Sequence, residues 1–195
     1  MPPVYEDLKW NDGQINPSGI RSRVFYAQKS WIKTWPTPTA SPSTAEETVQ
    51  LSGDFEMNTG KVFQEIYSKQ GKSHVDFDEV GDKDHKMFIN KLVGMYPDIS
   101  SKAKAIAKNN LNSNVVFIAQ LPHETEKRFV VIGSEEWDNE IKFTGKSGEG
   151  AGSEKGLFFE CHAPDTTPLP DYVGNLPVTD GSIDCETGVF TPTTP

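Results

Sequence analysis

Apolar residues along this chain recur mostly at every second position, the period of a half-buried strand. In residues 47–57, Val49, Leu51, Phe55 and Met57 alternate with polar partners, which predicts one strand. Residues 21–27, 61–67, 74–78, 86–93, 141–144 and 157–161 read the same way, with a turn signal at Asn58-Thr59-Gly60. Val115-Val116-Phe117-Ile118 and Phe129-Val130-Val131-Ile132 are apolar without interruption, so these two strands are expected to be covered on both faces. One segment has the helical period instead. Over 98–111, Ile99, Ala103, Ile106, Ala107 and Leu111 form one stripe, with Asp98 or Ser100 as N-cap. One helix among about eight or nine strands predicts a mainly β fold, a β-sandwich or barrel with a flanking α-helix.

Proline sets the expected boundaries. Six of the 14 prolines lie in residues 1–42 and six in 164–195. Because proline lacks a backbone donor, these ends are expected to be arms: 1–19, and an acidic, Pro-rich arm at 164–195. The β domain then spans 20–163, with a Pro-rich linker at 35–43 and a Gly-rich loop at 145–156. Charge is segregated as well. After Lys155 there are six acids and no Lys or Arg, whereas 99–123 holds Lys102, Lys104 and Lys108 and no acid.

The whole chain of 195 residues carries a formal charge of −9, with 19 Lys and Arg against 28 Asp and Glu. That balance argues against binding nucleic acid through its phosphates. No apolar run reaches the roughly 18 residues of a membrane span, and the start lacks the basic and apolar parts of a signal peptide. A cytoplasmic origin and no membrane partner are expected. Cys161 and Cys185 fit neither a zinc spacing nor a disulfide framework and are expected to be free thiols.

Motifs for catalysis or cofactors are weak. Gly71-Lys72 and Gly145-Lys146 lack the phosphate loop's first glycine, since Ile66 and Glu140 stand there. Residues 76–87 place Asp76, Asp78, Gly81 and Asp82 at calcium-loop positions, but Val80 and Met87 replace required oxygens. The plainer expectation is a strand with Val75 and Phe77 inward and Asp76 and Asp78 outward. The histidines at 74, 85, 123 and 162 are scattered, and His123-Glu124 falls in a polar turn between two strong strands. No enzyme activity, cofactor or metal is expected. Of the tryptophans, Trp10, Trp31 and Trp35 lie in the N-terminal region and Trp137 in a loop, which suits docking onto a neighbouring subunit.

Gly19-Ile20-Arg21-Ser22-Arg23-Val24-Phe25-Tyr26-Ala27 leads into Trp35-Pro36-Thr37, and Leu51-Ser52-Gly53-Asp54-Phe55 follows. Then come the helix, Asn112-Ser113-Asn114-Val115-Val116-Phe117-Ile118, Val130-Val131-Ile132-Gly133-Ser134, Thr144-Gly145-Lys146, and Gly156-Leu157-Phe158-Phe159. In order and spacing, over roughly residues 15–175, the chain resembles the major tail tube proteins of long-tailed bacteriophages. The resemblance implies a virion structural protein that self-assembles into stacked, hexameric rings. Such rings form a tube that conducts DNA during ejection without sequence-specific binding, and they meet other tail proteins. It would be assembled in the host cytoplasm. The acidic C-terminus after Pro164 departs from the family pattern.

Within that resemblance, Trp31, Trp35, Lys102, Lys104, Lys108 and the loop glycines Gly148, Gly150 and Gly152 are candidates for subunit contacts. Asp76, Asp78 and Glu79 are candidates for an acidic lumen, across which a duplex slides rather than binds. Residues 1–19, 36–45 and those beyond Pro177 are expected to order through neighbouring subunits. The Gly-rich loop is expected to reach the next ring. Two other classes fit the composition: another virion component, such as a head–tail adaptor or capsid decoration protein, and a carbohydrate-binding β-sandwich.

Overall fold

The computed structural model describes residues 4–10, 12–13, 15–123 and 127–193. Residues 1–3, 11 and 14 of the expected N-terminal arm, Glu124 of the expected turn, and 194–195 lie outside them. In chain order the strands are β1 (Arg23–Gln28), β2 (Ile32–Thr34), β3 (Thr37–Pro38), β4 (Gln50–Ser52), β5 (Glu56–Met57) and β6 (Gln64–Tyr67). Next come β7 (His74–Val80), β8 (Met87–Tyr96), helix α1 (Ser101–Asn109), β9 (Val115–Leu121), β10 (Arg128–Ile132) and β11 (Glu140–Lys146). The chain continues with β12 (Gly156–Asp165), β13 (Asp171–Tyr172), β14 (Asn175–Val178), β15 (Gly181–Asp184) and β16 (Phe190–Pro192). The fold is mainly β with one helix.

Alternation on β9 and β10 explains the layering. Their uninterrupted apolar runs put side chains on both faces of a seven-stranded sheet, ordered β3-β4-β13-β10-β9-β1-β6. On one face Val24, Tyr26, Phe117, Ala119, Val130 and Ile132 pack against Leu92, Phe159, Cys161 and Ala163. Those partners belong to a four-stranded sheet, β11-β12-β8-β7. On the other face Phe25, Val116, Ile118, Phe129 and Val131 pack against Phe55, Phe63, Leu176, Val178, Ile183 and Cys185. The result is three layers with the central strands buried on both sides.

The C-terminal segment differs from the expected arm. Residues 171–192 form β13 to β16, and Leu176, Ile183 and Cys185 are buried. Proline is barred from central strands but not from edges, and the strand prolines lie on edge strands or past the end of a neighbouring ladder. Pro38 sits on edge strand β3, Pro177 on β14 and Pro192 on β16. Pro164 lies past His162, the last β12 residue with a β11 partner before the chain end of that ladder. The 35–43 linker likewise contributes β3, paired through Thr37 and Pro38 to Ser52 and Leu51.

Two smaller differences have local causes. The single strand expected over 47–57 is a short 3-10 turn at Glu46–Val49, then β4 and β5, broken at Gly53 (φ +89). There Asp54 turns aside to accept a hydrogen bond from the Asn175 backbone N–H at 2.7 Å. Helix α1 starts at Ser100, whose side chain accepts from the Ala103 N–H, and stops before Leu111. Asn112 adopts a left-handed φ of 58°, so Leu111 leaves the apolar stripe and is exposed.

Candidate functional site

The four-stranded sheet carries the three expected lumen acids, Asp76, Asp78 and Glu79, on β7. Its inner face is buried through Leu92, Phe159, Cys161 and Ala163. Alternation therefore turns Asp76, Asp78, Lys91, Glu160, His162, Glu140 and Lys142 to the opposite, outer face. One cross-strand row reads Asp76, Lys91, His162, Glu140. Lys91 donates to the Asp78 carboxylate, which holds its ammonium above the ordinary lysine range. His162 Nε2 lies 3.1 Å from Glu160 Oε1, and His74 Nε2 lies 3.3 Å from Asp76 Oδ2. The outer face is a lattice of mixed charge.

The candidate lumen acids divide between the faces. Asp76 and Asp78 share the outer face, whereas Glu79 alternates to the other side and pairs with Lys86. Strand β7 is exposed along most of its length. Phe77 faces inward yet remains half-exposed, with its ring 5.9 Å from that of Phe88. Strands β7 and β11 are the two edges of this sheet.

The other expected contact residues are spread out. Trp31 and Trp35 are half-buried against their own core, with Trp35 5.5 Å from the Phe55 ring and the Lys61 ammonium 5.0 Å over Trp31. Lys102, Lys104 and Lys108 lie exposed on α1, and none pairs with an acid among the described residues. Strands β11 and β12 extend further than expected, shortening the Gly-rich loop to residues 147–155. Gly148 and Gly152 adopt left-handed φ values of 79° and 86°, while Gly150 faces open space. Salt bridges tie this loop to its own chain: Lys72 to Glu154 at 3.0 Å and Lys155 to Asp98 at 2.9 Å.

No group of three or more His, Cys, Asp or Glu able to hold a metal forms among the described residues. The run after Asp76 is strand to Val80, followed by a turn through Gly81 at φ +95. Burial pushes the Cys161 thiol up to about 12 and also raises that of Cys185, so neither supplies a thiolate near neutral pH. No protein family, curated protein or solved structure matches this chain.

Two of the buried polar groups that sequence reasoning missed are the Tyr172 hydroxyl and the Asp165 carboxylate. The Tyr172 hydroxyl accepts from the Phe55 N–H at 3.1 Å and donates to the Asn175 carbonyl at 2.7 Å. Asp165 is also buried, accepting from the Thr167 N–H at 3.0 Å, and desolvation raises its pKa. A raised carboxylate pKa destabilises the fold above that pKa, and the penalty disappears as pH falls to the ordinary Asp range. Asp165→Asn keeps an acceptor for Thr167 and removes the charge. Its melting temperature is expected to exceed the parent's at pH 7, with the gap closing on acidification. An equal gap at all pH values would dissociate it from this titration.

Proposed function

We propose that this chain is a self-assembling structural subunit of stacked rings, of the kind that build a phage tail tube. The observation that carries the reading is the four-stranded sheet with two edges, β7 and β11, and an outer face rich in exposed charged side chains. Every neighbouring pair within it is antiparallel, so β7 and β11 run in opposite directions. In a ring of like-oriented subunits, β7 of one copy meets β11 of the next in antiparallel register. Ring closure then removes the exposed edges, as barrel closure does.

The outer face would line the lumen. It carries Asp76, Asp78, Glu140 and Glu160 against Lys91, Lys142 and Lys146, with His74 and His162. Lys91 is held by Asp78, and Lys146 lies 4.8 Å over the Phe158 ring. A nearly balanced, self-paired wall gives passing phosphates little to bind. Hexameric symmetry and the tail location come from the resemblance. Electron microscopy of the purified full chain, with light scattering, tests the reading. Rings or tubes are expected, and a monomer at every concentration reached would overturn it.

A further inference from the structure

The N-terminal segment Val4–Trp10 has the pattern of a strand without a sheet. Lys9 Nζ lies 3.1 Å from Asp7 Oδ2, an i, i+2 pair that shares one side of extended backbone. The opposite side carries Leu8 and Trp10. Leu8 and Trp10 are exposed by 103% and 63%, and Tyr5, on the Asp7 side, by 86%. No proline occurs between Pro3 and Pro17, so every residue of 4–16 can donate to a ladder. Large aromatic and aliphatic side chains bury about 150–250 Å² each when covered, so leaving this side in water is unfavourable.

A matching seat lies at the other end of the seven-stranded sheet. Strand β6 is its edge, and beside it is a hollow of about 420 Å³. Phe63, Val178 and Phe190 give the hollow apolar walls, and Arg23 and Glu65 cross its rim. Phe190 is exposed there, and Tyr67, the cross-strand partner of Arg23, is exposed beside it. An extended segment added to β6 would satisfy its free backbone groups, the mode known as strand augmentation. With Leu8 opposite Tyr67, the two-residue period places Trp10 opposite Glu65, over the hollow.

We propose that Val4–Trp10 of one copy adds as a strand to the β6 edge of a second copy, with Leu8 against Tyr67 and Trp10 over the Phe63–Phe190 hollow. The chain leaves its own domain at Ile20, which is buried, and passes Gly19 against the Ser73 carbonyl. That route runs along the turn following β6 rather than along its edge. Asn16-Pro17 is an extended, stiff dipeptide, and a stiff hinge favours exchange between copies over folding back. Sixteen residues from 4 to 19 reach about 50 Å, enough to cross to a neighbour.

This inference rests on the self-assembly reading, and the experiment separates the two. The native cysteines are buried, so engineered ones react alone. Leu8→Cys chains are mixed with Tyr67→Cys chains under mild oxidation, and separately with Leu111→Cys chains as an exposed comparison. The first mixture is expected to form inter-chain disulfide at least several-fold faster than the second. In parallel, Leu8→Ser/Trp10→Ser is expected to keep the parent's melting transition while losing most of its assembly. Equal cross-linking in the two mixtures overturns the arm's placement, as does a Leu8→Cys/Tyr67→Cys chain that cross-links only within itself. Normal assembly of the serine variant overturns it too and leaves self-assembly standing. A parent chain that never assembles overturns both.

Discussion

Deleting residues 174–195 is expected to abolish cooperative folding. The segment ends in the Pro-rich Thr191-Pro192-Thr193-Thr194-Pro195, yet it holds Leu176, Val178 and Ile183 in the core shared with Phe25, Phe55 and Phe63. Burying each such side chain is worth about 1.5–3 kcal/mol. Three together approach the roughly 5–15 kcal/mol that stabilises a whole domain. The deletion also strands Phe55 and Phe63, which lie 5.2 Å apart and pack with this layer, and it removes the Asn175 partner of the Tyr172 hydroxyl. Circular dichroism during heating should show a broad, early loss of signal in place of a sharp transition. A truncated chain that melts like the parent would mean that the segment is an arm after all. Leu176→Ala is the milder test and should destabilise by about 2–5 kcal/mol.

The second large effect is expected at Gly94. It faces the Phe159 ring across the β8–β12 ladder, and any Cβ at Gly94 would overlap that ring. The ring has no room to retreat, because Phe117 stacks on it at 6.0 Å with planes 11° apart. Gly94→Ala should therefore destabilise by about 1–3 kcal/mol through overpacking. Phe159→Ala should destabilise by about 3–5 kcal/mol through the cavity it leaves. The informative measurement is the double variant. With the ring gone, the alanine at 94 has space, so the combined loss in denaturant unfolding should fall well short of the sum. Strict additivity would show that the ring is not what excludes a side chain there.

Much of the fold was legible because it is written in local alternation. Val115–Ile118 and Phe129–Ile132 announced strands covered on both faces, and His74–Asp78 announced a strand with Asp76 and Asp78 outward. What was not legible depends on partners distant in sequence. Leu176, Pro177 and Val178 look like an irregular tail until Phe63 is placed beside them, where its N–H donates to the Pro177 carbonyl at 2.9 Å. Counting prolines could not reveal this, since an edge strand tolerates them as well as an arm does. The break at Gly53 was likewise hidden in a run with good alternation. For the candidate site, strand parity could assign Asp76 and Asp78 to one side. It could not reveal the neutralising partners: Lys91 lies 13 residues from Asp78, and only the cross-strand register brings them together.

The position of β13 has a consequence for how the protein is made. Strand β4 enters the central sheet only through a parallel pairing with Asp171 and Tyr172, since β13 separates it from β10. The β3–β4 pair, synthesised early, thus waits for residues made some 120 positions later. A ribosome adding about 5–20 residues per second delays that closure by about 6–24 seconds. During that interval Phe55, Phe63 and the underside of β1, β9 and β10 lack their cover. The nascent chain is therefore most in need of chaperone protection in the interval before residues 171–185 emerge, and slow translation between β10 and β13 would lengthen the exposure rather than relieve it.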